Sequence, residues 1–134
     1  AQAGDVQPPE GPQEDSGAAA ADAGAQEDPE AAAEGGVQVS AVSIETGPVT
    51  LNALRYSPPA SGLPVLVFFH GGAYVAGDLA THGWTCRCLA ARAGAEVLAV
   101  AYRRAPEAQF PSAFEDAYAA LRWVAAGGLG APPP

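Results

Sequence analysis

The chain has 134 residues, of which 49% are apolar, and a formal charge of −9. That length allows one modest domain. Lysine is absent and the six arginines are matched by acids after residue 36, so no net basic face exists for nucleic acid.

Residues 1–36 hold nine acids, no arginine and one large apolar residue, Val6. Such a segment cannot bury enough surface to offset its ordering entropy and is expected to be a disordered acidic tail, with residues 37–134 forming the domain. No basic-then-apolar leader opens the chain, and no apolar run approaches the length of a membrane span. Cytoplasm is the default localisation.

Past residue 36 the pattern becomes legible. Val37, Val39, Ala41 and Ser43 alternate, Ile44 follows, and Thr46-Gly47-Pro48 signals a turn. With the alternation over Val49–Tyr56 this predicts a two-stranded hairpin. A Pro/Gly-rich loop leads to VLVFF, Val65–Phe69, whose unbroken apolarity suits a strand covered on both faces.

The spacing of Trp84, Cys88 and Ala91 predicts a helix over Thr81–Ala93, with Thr81 as N-cap and Gly94 closing it. Cys86 and Cys88 fall on different faces of that helix and do not pair. Glu96–Tyr102 reads as a second buried strand. Ser112 and Glu115 form a Ser-x-x-Glu capping box, and the next helix carries an apolar face of Phe114, Ala117, Tyr118, Leu121 and Ala125. The order is strand, strand, strand, helix, strand, helix: an α/β fold in which a hairpin joins a mostly parallel sheet with helices on its faces.

Ligands of such sheets bind beyond the C-terminal ends of the strands. There, after Phe69, stand His70-Gly71-Gly72-Ala73. A turn needs one glycine. Three nearly bare residues in a row let backbone N–H groups approach a negative charge closely, as an oxyanion hole requires. Gly72 and Gly77 have phosphate-loop spacing, but Asp78-Leu79 stand where Lys-Ser/Thr is needed. His70 and His82 lack a third ligand, so no metal is expected, and no cofactor motif is present. His70 reads as a brace for the loop and His82 as a residue on the helix surface.

The block from Val65 to Gly94 and the Tyr-Arg-x-Ala-Pro-Glu block from Tyr102 to Glu107 together resemble the hormone-sensitive-lipase-like esterases of the α/β-hydrolase fold. The resemblance runs from about Val49 to Val124. It implies a carboxylic-ester hydrolase acting by acyl transfer on a small-molecule ester, with Gly72 and Ala73 as oxyanion-hole donors, Gly71 allowing the close approach and His70 orienting the loop. It implies structural roles for Tyr102, Arg103, Pro106 and Glu107, with Asp116 as the partner of Arg103. Arg104 stands where the family has an apolar residue. The family's Gly-x-Ser-x-Gly does not occur in these 134 residues, Ser112 is the last serine and His82 the last histidine. The resemblance therefore implies the N-terminal part of such an enzyme, inactive as it stands, with VLVFF left as a sheet edge. The alternative is a non-catalytic partner-binding module. Substrate length and oligomeric state are not encoded legibly.

Overall fold

A computed structural model of the chain describes residues 36–130; residues 1–35 of the predicted acidic tail lie outside the described residues. Four strands and two helices follow in the predicted order: β1 (Gln38–Glu45), β2 (Thr50–Ser57), β3 (Val65–Phe69), α1 (Gly83–Ala93), β4 (Glu96–Val100) and α2 (Ser112–Ala125). The sheet order is β1-β2-β4-β3. β1 and β2 pair antiparallel from Gln38↔Ser57 to Glu45↔Thr50, and β2 also runs antiparallel to β4. β3 runs parallel to β4, from Val65↔Glu96 to Phe69↔Val100. Arg55 on β2 clamps Glu96 on β4, donating from Nε and Nη2 at 2.9 and 2.7 Å.

Period-two alternation divides the sheet into two apolar faces. On one, Val37, Tyr56, Val97 and Ala99 meet Cys86 and Ala90 of α1. On the other, Ile44, Leu51, Ala53, Leu98 and Val100 meet Ala120 of α2. Ile44, Leu98, Val97 and Val100 are fully buried, each contributing about 1.5–3 kcal/mol by burial. β4 is central and buried, but every residue of β3 is only half-buried. VLVFF is thus an edge strand, not one covered on both faces.

Both helices begin differently from their predicted starts. α1 starts at Gly83 after His82 and has no side-chain cap. Thr81 is occupied in a reciprocal turn: its N–H donates to Asp78 Oδ1 at 2.8 Å and Asp78 N–H donates to Thr81 Oγ1 at 3.1 Å. Gly94 closes α1 in the left-handed conformation, as predicted. α2 has Pro111 at its N-cap and no capping box. Ser112 is already helical there, one position too far along to cap, and Glu115 N–H donates to the Pro111 carbonyl.

The helix faces also differ. Trp84 is 69% exposed while Cys86 and Ala90 point inward. On α2, Phe114, Tyr118 and Leu121 face outward, and Asp116 and Ala120 are buried. Asp116 turns the helix: its carboxylate must reach Arg103, and alanines on that side allow close approach to the sheet.

Cys86 and Cys88 are not joined to each other, as expected from their places on α1. Burial pushes the Cys86 thiol up to about 11, so little thiolate forms at pH 8. We expect iodoacetamide at pH 8 to label Cys86 only after unfolding in guanidinium, as read by mass spectrometry. Labelling of the folded chain at the unfolded rate would show that the packing of α1 on the sheet is wrong.

Candidate active-site loop and its scaffold

β3 ends at Phe69 and delivers residues 70–77 to the sheet's C-terminal edge. His70 is 5% exposed. Its Nδ1 lies 2.9 Å from the Gly71 carbonyl oxygen, a hydrogen bond when Nδ1 carries the proton. Gly72, Ala73 and Tyr74 follow with φ of 138°, 54° and 66°. Left-handed backbone at Ala73 and Tyr74 costs on the order of 1 kcal/mol each, and such strain collects at functional sites.

The strained turn is held from inside. The Gly72 carbonyl accepts from Val75 N–H at 3.1 Å and from Ala76 N–H at 2.9 Å. Among the described residues, no turn or loop hydrogen bond uses the N–H of Gly72 or Ala73 as donor. Both residues line an open cleft of about 440 Å³, walled by Phe69, Tyr74, Tyr102, Ala113, Phe114 and Ala117. A mostly apolar wall with two uncommitted backbone donors suits a polarised carbonyl carried on an apolar molecule.

A second segment supports the first. The Tyr102 hydroxyl donates to the His70 carbonyl at 2.6 Å, and its ring stacks on the imidazole at 4.5 Å. Burial, then the nearby Tyr74, pushes the Tyr102 hydroxyl above its ordinary range, so it stays protonated as a donor. Arg103 turns the other way. Its N–H and guanidinium donate to Asp116, at 2.8 Å from the backbone and 2.7 Å from Nη2. Asp116 is 1% exposed, and this pairing holds Arg103 above even its usual high range.

Arg104 reaches back to donate to the Gly77 carbonyl, and Ala105 N–H donates to the Tyr74 carbonyl at 2.9 Å. Pro106 and Glu107 are exposed, and no hydrogen bond or ion pair described involves Glu107. The Arg–carboxylate pin is therefore Arg103–Asp116. His82 is half-buried, not a surface residue, with its ring 5.9 Å from His70 and 5.8 Å from Phe68.

Gly71, Gly72, Ala73, His70 and Tyr102 thus meet at one cleft, while Arg103 and Asp116 brace it from behind. Sequence reasoning passed over Tyr74 and weighed Gly77 only as a phosphate-loop residue. The spacing of Gly77, five residues after Gly72, was the available signal. Among the described residues no group of three or more His, Cys, Asp or Glu could hold a metal ion, and no helix is long and apolar enough to cross a membrane.

A family profile described as alpha/beta hydrolase fold matches residues 66–132. The chain is 54% identical over 68 residues to the esterase LipI of Mycobacterium tuberculosis, covering 51% of this chain and 21% of that protein. It is 38% identical over 96 residues to the gibberellin receptor GID1 of Oryza sativa subsp. japonica, covering 70% of this chain and 27% of the receptor. Among solved structures, an esterase of Pyrobaculum calidifontis superposes with a TM-score of 0.64 at 43% identity, over 66% of this chain and 30% of that one. The esterase LipW of Mycobacterium marinum gives 0.68 at 32% identity, over 75% and 32%. The chain therefore spans about a fifth to a third of the length of these relatives.

Proposed function

Because the chain belongs to the alpha/beta-hydrolase family, in the branch that resembles hormone-sensitive lipase, we propose that residues 70–77 supply one wall of a carboxylic-ester hydrolase site. The observation that carries this reading is the pair of uncommitted N–H groups at Gly72 and Ala73, on a strained loop beside an apolar cleft. When a serine oxygen attacks an ester carbonyl, the C=O π electrons move onto the oxygen. Two fixed donors stabilise that developing charge, each by about 3 kcal/mol, without reorganising at the moment of reaction. The esterase names of several relatives support an ester as substrate.

The 134 residues hold the donors but not the nucleophile. They contain no Gly-x-Ser-x-Gly and no histidine after His82, so the acyl-transfer triad is not assembled within them. We expect the 134-residue chain to hydrolyse p-nitrophenyl acetate at the buffer rate. Grafted in place of the matching segment of the P. calidifontis esterase, which is 43% identical, the same residues are expected to support turnover within about tenfold of that parent. A folded but inactive graft would overturn the reading.

The likeness to a protein named as a receptor favours a second reading, a site of the same shape that binds without reacting. The graft separates the two, since a site built only to bind restores no turnover.

A further inference from the structure

We propose that Arg104 is a positioning residue for the oxyanion loop, acting through Gly77. The proposal rests on the assignment of Gly72 and Ala73 as donors and adds what sets their place. Residues 102–105 touch the 70–77 loop at three points: Tyr102 at the His70 carbonyl, Ala105 N–H at the Tyr74 carbonyl, and the Arg104 guanidinium at the Gly77 carbonyl. The first two fix the start and the middle of the loop. Of the three, Arg104 is the one that reaches its far end.

Gly77 is an effective place to grip. Its backbone lies so close to the loop's start that a Cβ there would sit 2.4 Å from the Gly71 carbonyl oxygen and 2.7 Å from His70 Nδ1. Its φ of 83° is one that glycine adopts without strain. Fixing the Gly77 carbonyl therefore fixes the far end of the loop where it lies against Gly71, the residue just before the two donors. Asp78 flanks the same point and adds attraction: its carboxyl is held below its usual range mainly by the Thr81 N–H, and partly by the Arg104 charge. Arg103 cannot substitute, because its guanidinium is committed to Asp116 on α2. His70, Tyr102 and Thr81, which also face this corner, already have hydrogen-bond partners.

Amide hydrogen exchange on the full 134-residue chain tests this directly. Val75 and Ala76 N–H report the bonds to Gly72, and Ala105 N–H reports the bond to Tyr74. Removing one charge-assisted hydrogen bond is expected to raise their exchange about 5-fold in Arg104→Leu, with β4 amides unchanged. Arg104→Lys should recover part of the protection. Arg122→Leu, which removes the same charge from the exposed face of α2, should leave the loop alone. Unchanged loop exchange in Arg104→Leu, or an equal rise in Arg122→Leu, overturns the proposal. In the esterase graft, Arg104→Leu is expected to lower kcat about 5-fold with KM unchanged; a rise confined to KM would overturn positioning of the donors. If the loop loosens but the parent graft is itself inactive, the tether stands and the hydrolase reading falls.

Discussion

Gly72→Ala is expected to cut kcat of the esterase graft for p-nitrophenyl acetate by about 100-fold or more. A Cβ built on Gly72 would lie 1.9 Å from the Ala76 carbonyl oxygen and 2.4 Å from its carbon, and both are backbone atoms. The loop would have to open, and the bonds from Val75 and Ala76 N–H to the Gly72 carbonyl would break with it. The φ of 138° adds a penalty of its own for any residue with a side chain. A displaced donor is worth about 3 kcal/mol of transition-state stabilisation, which sets the scale. Gly71 provides the internal control. A Cβ there meets nothing within 4 Å, so Gly71→Ala should keep kcat within about threefold, by the ordinary scatter of surface substitutions. Equal losses at the two glycines would show that the loop's arrangement is not as described, and unchanged turnover in Gly72→Ala would remove Gly72 from the site.

Asp116→Ala is the substitution expected to damage the fold most. The carboxylate is buried and accepts from both the backbone N–H and the guanidinium of Arg103. Removing one partner of a buried pair typically costs about 3–5 kcal/mol. Arg103 is itself 38% exposed, so its charge recovers some solvation and the lower end, about 3 kcal/mol, applies. Its backbone N–H still loses its acceptor. In a domain of this size that cost lowers the midpoint of thermal unfolding by more than about 10 °C, measured by circular dichroism on the full chain. Asp116→Asn keeps one acceptor for the N–H and should lose about half as much. A midpoint within about 3 °C of the parent for Asp116→Ala would mean that Arg103–Asp116 does not pin this turn.

The Arg103–Asp116 contact was legible in the sequence, as were the strand order, the edge position of VLVFF and the loop after it. The element order and the loop follow from local signals, alternation and bare residues where a strand meets a helix, whereas the Arg103–Asp116 contact and the edge position came from the family resemblance, and the apolar run alone pointed to a covered strand. The facing of α2 was not legible. Phe114, Tyr118 and Leu121 repeat at helical spacing, so periodicity selects them as the inner face, although Trp123 and Val124 pack inward beside Ala120. The buried side is instead set by an acid, Asp116, which no hydropathy pattern would place inside. The supposed capping box failed for a similar reason. Ser-x-x-Glu is a pattern of side chains, while the first turn of α2 is fixed by the Pro111 carbonyl accepting from Glu115 N–H. Arg104 was visible only as a departure from family habit. Its use depends on where the Gly77 carbonyl lies, a long-range fact of the fold.

The strand order carries a consequence for how the chain assembles. β1 and β2 are neighbours in sequence and in space, and can zip from their turn. β3 has no partner until β4, some thirty residues later, has taken its place beside β2. The loop that begins at His70 inherits that delay. Its anchor Tyr102 lies just beyond β4, and its backing Asp116 lies on α2, the last element described. The turn that carries Ala73 and Tyr74 in the left-handed region is thus supported by elements that come late among those described, so α2 must leave the ribosome before the cleft can take shape.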